Sequence, residues 1–87
     1  MTDIQVISMN EQSYKVTVVS GITTTHEVSV DKTYAEKLTA GKISTAELVK
    51  KSFEFLLQRE SNTSILRRFD LSVIGRYFPE YEREIVK

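Results

Sequence analysis

At 87 residues the chain has room for one domain, 1–87, with one hydrophobic core, and a domain this short buries only about 60–65% of the surface its unfolded form exposes. Hydrophobic residues make up 40% and charged residues 28%, as in an ordinary globular protein, and the absence of cysteine excludes disulfides, thiolate metal sites and a cysteine nucleophile. Twelve basic and twelve acidic side chains cancel, which leaves little long-range attraction to phosphate backbones or anionic lipid.

The first apolar segment, Ile4–Met9, is a candidate strand before an Asn10–Ser13 turn. Tyr14–Val19 alternates and is rich in β-branched side chains, and Thr24–Val30 alternates again. That spacing places Val16, Val18, Val28 and Val30 on one sheet face and turns Lys15, Thr17, Glu27 and Ser29 outward, with Ser20–Thr23 as the hairpin turn.

From Asp31 the period changes to that of a helix. Asp31 is a candidate N-cap, Tyr34, Ala35 and Leu38 fall on one face, and Gly41 stands where a helix C-terminus tolerates positive φ. Ser44-Thr45-Ala46-Glu47 reads as a capping box opening a helix from Ser44 to Glu60. Leu48, Phe53 and Leu56 lie within its core-facing stripe, whereas Phe55 falls off it unless later helices fold back over that side.

After the break at Ser61–Thr63, Ser64–Phe69 is expected to form a short helical turn carrying Ile65, Leu66 and Phe69 inward. Asp70 is placed to cap a further helix bearing Val73, Ile74, Tyr77 and Phe78, and Pro79 fits the first turn of a last short helix, Glu80–Val86. Strands first and helices afterwards give the α+β class. The expectation is a small antiparallel sheet of two or three N-terminal strands, covered by three to four helices.

Catalytic constellations are hard to assemble from these residues. His26 is the only histidine, with no cysteine nearby and no HxxE or HxxxH spacing. Zinc wants three or four ligands, so a structural histidine facing the core is favoured over a metal ligand. No GxSxG-type elbow, GxxxxGK[ST] loop or GxGxxG loop is present. The acids Glu80, Glu82 and Glu84 sit in a mixed-charge segment and read as a solvated face. No enzyme activity, no cofactor and no metal are expected.

Two features suit a partner instead. Arg67, Arg68 and Arg76, with Arg59 upstream, can grip a phosphate or carboxylate in bidentate fashion. Internal pairing with Glu60, Asp70 and the Glu80–Glu84 acids is the favoured alternative. Tyr77 and Tyr81 lie in the Arg76–Glu84 segment, where aromatic rings serve equally as an interface patch or as a lid on the core. Arg67, Arg68, Arg76, Tyr77 and Tyr81 are therefore the candidate partner-binding residues. The partner expected is an unknown protein or a second copy, with nucleic acid disfavoured but retained and no membrane. Cytoplasmic localisation is the expectation from the missing cysteines and from Met1-Thr2-Asp3-Ile4, which shows neither a basic nor an apolar leader pattern.

Two likenesses add to this reading. Thr24–Val28, Glu47–Glu60, Asn62–Leu71 with its phrase Ser-Ile-Leu-Arg-Arg-Phe-Asp-Leu, and Arg76–Glu82 resemble a family of small bacterial proteins of unknown function. That resemblance spans about residues 14–85 and carries over no activity, cofactor or site residue. The order strand Thr24–Val30, helix Lys32–Ala40, glycine turn and helix Thr45–Arg59 is also similar to ribbon-helix-helix DNA-binding proteins, many of them antitoxins. The second likeness implies a dimer in which two such strands pair, with Thr25, Glu27 and Ser29 offered to the DNA.

Overall fold

The computed structural model of the chain describes residues 2–86. Three strands, β1 (Asp3–Asn10), β2 (Ser13–Ser20) and β3 (Ile22–Ser29), form an antiparallel meander. The expected Ile4–Met9 strand is thus present and longer than its apolar run. Asn10 closes the first turn by accepting the Gln12 N–H on its side chain (2.8 Å), and Gly21 turns the second at φ 76°, between the paired residues Ser20 and Ile22. A positive φ there suits glycine, which has no Cβ to clash.

The chain then crosses one face of the sheet. Helix α1 (Lys32–Thr39) starts at Asp31, whose carboxylate accepts the Tyr34 N–H at 3.3 Å. It ends in a left-handed turn that begins one residue before the expected glycine, at Ala40 (φ 52°), and continues through Gly41 (φ 74°). Helix α2 (Thr45–Leu57) starts at Ser44, whose hydroxyl accepts the Glu47 N–H at 3.1 Å. A 3₁₀ turn at Asn62–Ser64 follows, then strand β4 (Arg68–Asp70), α3 (Val73–Tyr77) and α4 (Tyr81–Ile85).

The chain is α+β, but its sheet is mixed and has four strands rather than two or three antiparallel ones. The order is β1-β2-β3-β4, with β4 parallel to β3. Residues Ser64–Phe69 do not form the expected helical turn. Beyond Ser64 the backbone extends, the Glu27 N–H donates to the Arg67 carbonyl (2.7 Å), and the Leu71 N–H donates to the Ser29 carbonyl (2.9 Å). Ile65 and Phe69, four apart, share a face in helix and strand alike, whereas Leu66, expected inward, shares it only in a helix and stands 50% exposed. The open edge of β3 decided the matter, because its amides and carbonyls need partners.

Helix α2 is the hub of the core. Leu48, Phe53 and Leu56 are buried as expected, against Val16, Val18, Val28 and Val30 from the sheet. Phe55 is buried too, because α3 and α4 do fold back over it. Phe78 and Tyr81 meet its ring edge-on at 5.9 and 5.3 Å, and the Arg59 guanidinium lies 3.6 Å from the ring centre. No helix among the described residues is long and apolar enough to cross a membrane.

Candidate functional site

A groove opens where the C-terminal end of α2 meets the segment before β4 and helix α3. Its floor is built from the buried Leu56, Ile65 and Ile74. Phe69, Val73 and Phe78 line its walls, half-buried. Leu66 and Tyr77 stand at the rim with 50% and 69% of their surface exposed. The volume is about 310 Å³, at the small end of the ~300–1,000 Å³ typical of ligand sites and ample for one or two apolar side chains. Glu60 is the one charged residue in the lining, and its carboxylate has no ion-pair partner among the described residues.

The rim is held by a buried polar chain that begins on β3. The His26 ring, 1% exposed, points to the helix side of the sheet and packs 5.3 Å from the Phe53 ring. Its Nδ1 lies 2.8 Å from the Leu66 carbonyl, which can only accept, so Nδ1 carries the proton. Nε2 then accepts the Thr24 hydroxyl at 2.9 Å. Asn62, also buried, donates to Thr24 Oγ1 at 3.1 Å and to the Ile22 carbonyl at 2.7 Å. The 3₁₀ turn and the Leu66 backbone are thereby fastened to β3, which fixes the rim leucine over the groove. His26 faces the core, as its place in the alternation indicates. Asn62, in a segment legible only as a break, had no sequence signal for this role.

The residues singled out in the sequence part company here. Arg68, on the open face of β4, pairs with Glu27 across the sheet at 3.2 Å instead of with the C-terminal acids. Arg76, on α3, lies near Asp70, and Arg59 reaches Glu80 at 3.4 Å. Arg67 is exposed just ahead of β4. Tyr77 belongs to the groove. Tyr81 does not, since it is 0% exposed and forms part of the core. Its hydroxyl lies 2.6 Å from Ser52 Oγ, and burial pushes its pKa up to about 12.

Asp70 ends β4 and is not the N-cap of α3, which is Ser72. Its carboxylate accepts the Ser72 hydroxyl (2.6 Å), the Ser72 N–H (3.1 Å) and the Ser29 hydroxyl (2.7 Å). Burial by itself would raise this carboxyl's pKa. The hydrogen bonds from Ser72 and Ser29 and the nearby Arg76 outweigh it and hold the pKa below its ordinary value. Tyr34 is shifted the other way, raised by burial and by donating its hydroxyl to Glu82 at 2.8 Å.

The ribbon-helix-helix likeness required β3 to pair with its own copy. In this fold one edge of β3 is paired along its whole length with β2 and the other is paired with β4 over Glu27–Ser29, which leaves only Ile22–His26 of that second edge outside the ladder. Among the described residues no three His, Asp or Glu side chains converge as metal ligands would. Comparison with protein-family models, with curated proteins and with solved structures finds no match to this chain.

Proposed function

We propose that this protein is a non-catalytic interaction module whose groove takes an apolar side chain from an extended or helical segment of a protein partner. The observation that carries the reading is the pairing of Leu66 and Tyr77 as exposed rims on an apolar groove whose floor is core. Leaving two large, partly exposed apolar side chains in water beside a preformed groove forgoes free energy that a ligand recovers, on the order of 1 kcal/mol for each, since only the exposed part, half or more of each surface, is still to be buried. Tyrosine suits such a rim because it offers a large surface at the cost of two side-chain torsions.

Glu60 sets the chemistry of the partner. A carboxylate without an internal cation, at the edge of an apolar groove, favours a segment with Lys or Arg beside its apolar anchor. The test is selection from a displayed random-peptide library with the folded protein as bait. The expected consensus is an apolar residue adjacent to a basic one. Leu66→Glu should abolish capture, and Glu60→Gln should remove the basic preference while keeping the apolar one. Peptides that bind Leu66→Glu as well as the parent protein would refute the assignment of the groove.

A further inference from the structure

The sheet has one long open edge, and the composition of that edge is unusual for a strand left to solvent. β1 is eight residues long and is bonded only to β2, so the main-chain groups along its other side have no partner among the described residues. Exposed edge strands are commonly protected by lysine, proline, a mid-strand bulge or shortness, because an open row of N–H and C=O groups recruits other strands. β4, the opposite edge, is protected by length, at three residues. β1 carries no Lys, Arg or Pro, and its irregularity lies at its far end, between Ser8 and Asn10.

The side chains of β1 are unfinished on both faces. On the helix-covered face Ile4 and Val6, opposite Val18 and Val16, are half-buried against the core although their counterparts on β2 are fully enclosed. On the open face Ile7, opposite Lys15, is 55% exposed, and Met9 at the irregularity is 51% exposed. A neighbouring strand would cover both sets and also satisfy the open backbone groups.

We infer that this neighbour is the β1 strand of a second copy, paired antiparallel about a two-fold axis into a continuous eight-stranded sheet. Charge selects this occupant. The protein has no net charge, so two copies approach without mutual repulsion. Asp3, at the N-terminal end, is the one charged residue of the strand. Antiparallel pairing sends the two Asp3 carboxylates to opposite ends of the junction, whereas parallel pairing would set them side by side. The alternation of apolar residues on each face reproduces itself under the two-fold, as an isologous contact requires. The groove lined by Leu66 and Tyr77 takes no part.

Sedimentation velocity from micromolar to millimolar protein tests the inference. The expected result is a mass rising from 10.0 kDa toward twice that value. Ile7→Lys and Met9→Lys place a charge on the open face of the edge and should raise the dissociation constant by at least about tenfold without changing the far-UV circular dichroism. Ile22→Lys, a change at another exposed isoleucine (64%) away from the edge, should associate like the parent. Hydrogen exchange should show amides of β1 protected at high concentration and released on dilution. A parent chain that stays at 10.0 kDa at millimolar concentration overturns the inference. So does an association that both lysine variants leave intact, or one abolished by Tyr77→Ala instead.

Discussion

The buried Ser52–Tyr81 pair joins the middle of α2 to α4, and its geometry gives the two partners unequal roles. Ser52 Oγ lies 2.7 Å from the Leu48 carbonyl and 2.6 Å from the Tyr81 hydroxyl. The carbonyl can only accept, so the serine proton goes there and Tyr81 donates to Ser52. Tyr81→Phe removes that donor and leaves Ser52 bonded to Leu48, at an expected cost of about 0.5–1.5 kcal/mol. Ser52→Ala leaves the fully buried Tyr81 hydroxyl without its partner, at about 1–3 kcal/mol. Alanine's better helix propensity returns up to about 0.7 kcal/mol of this. In the double variant no hydroxyl is stranded, so its cost should fall well below the sum of the two single costs. Urea unfolding of the four proteins, followed by circular dichroism, measures this against a total stability of about 4–13 kcal/mol for a chain this long. Additivity within about 0.5 kcal/mol would refute the proton assignment and the idea that the pair acts as a unit.

The remaining expectations concern the core, the buried network and the acid limb. Phe53→Ala, at a 0% exposed site with His26 at 5.3 Å and Phe69 at 6.0 Å, should cost about 3–5 kcal/mol in urea melts, and Phe55→Ala nearly as much because α3 and α4 close over it. A Phe55→Ala variant within about 1 kcal/mol of the parent would contradict that packing. Nitrogen-15 NMR should find neutral His26 protonated at Nδ1 with a slowly exchanging ring proton, and Asn62→Ala should shift the Leu66 amide; an Nε2–H tautomer would overturn the network. Asp70's folded pKa lies below its ordinary 3.8, so the carboxylate contributes stability that is complete above that value and lost as pH falls through the lowered one. The stability gap between the parent and Asp70→Asn should therefore be constant above about pH 5 and narrow below pH 4; a gap that widens with acid would reverse the sign of the shift.

The elements with local causes were legible in the residues themselves. The period of two in Tyr14–Val19 and Thr24–Val30 assigned the inner valines, because successive strand side chains alternate whatever the sheet packs against. Asp31 and Ser44 announced α1 and α2 because their hydrogen bonds are made within four residues. The burial of Leu48, Phe53 and Leu56 followed from the helical stripe.

Tertiary structure alone decided the rest. Ser64–Phe69 carries no period strong enough to choose between helix and strand, and β4 exists because β3 presents an open edge beside it. Phe55 and Tyr81 are buried because α3 and α4 return over α2, a packing of segments far apart in the chain. The pairing of Arg68 with Glu27 depends on that parallel register and was not legible in the sequence, whereas Arg59 met one of the expected C-terminal acids, Glu80. The groove has the same origin. Leu56, Leu66 and Tyr77 become one surface only when three elements converge, and the buried bonds of His26 and Asn62 that hold them together span some forty residues. Interactions within a turn or a strand are written in neighbouring residues, whereas a site made by convergence depends on which faces are left over once the core is full.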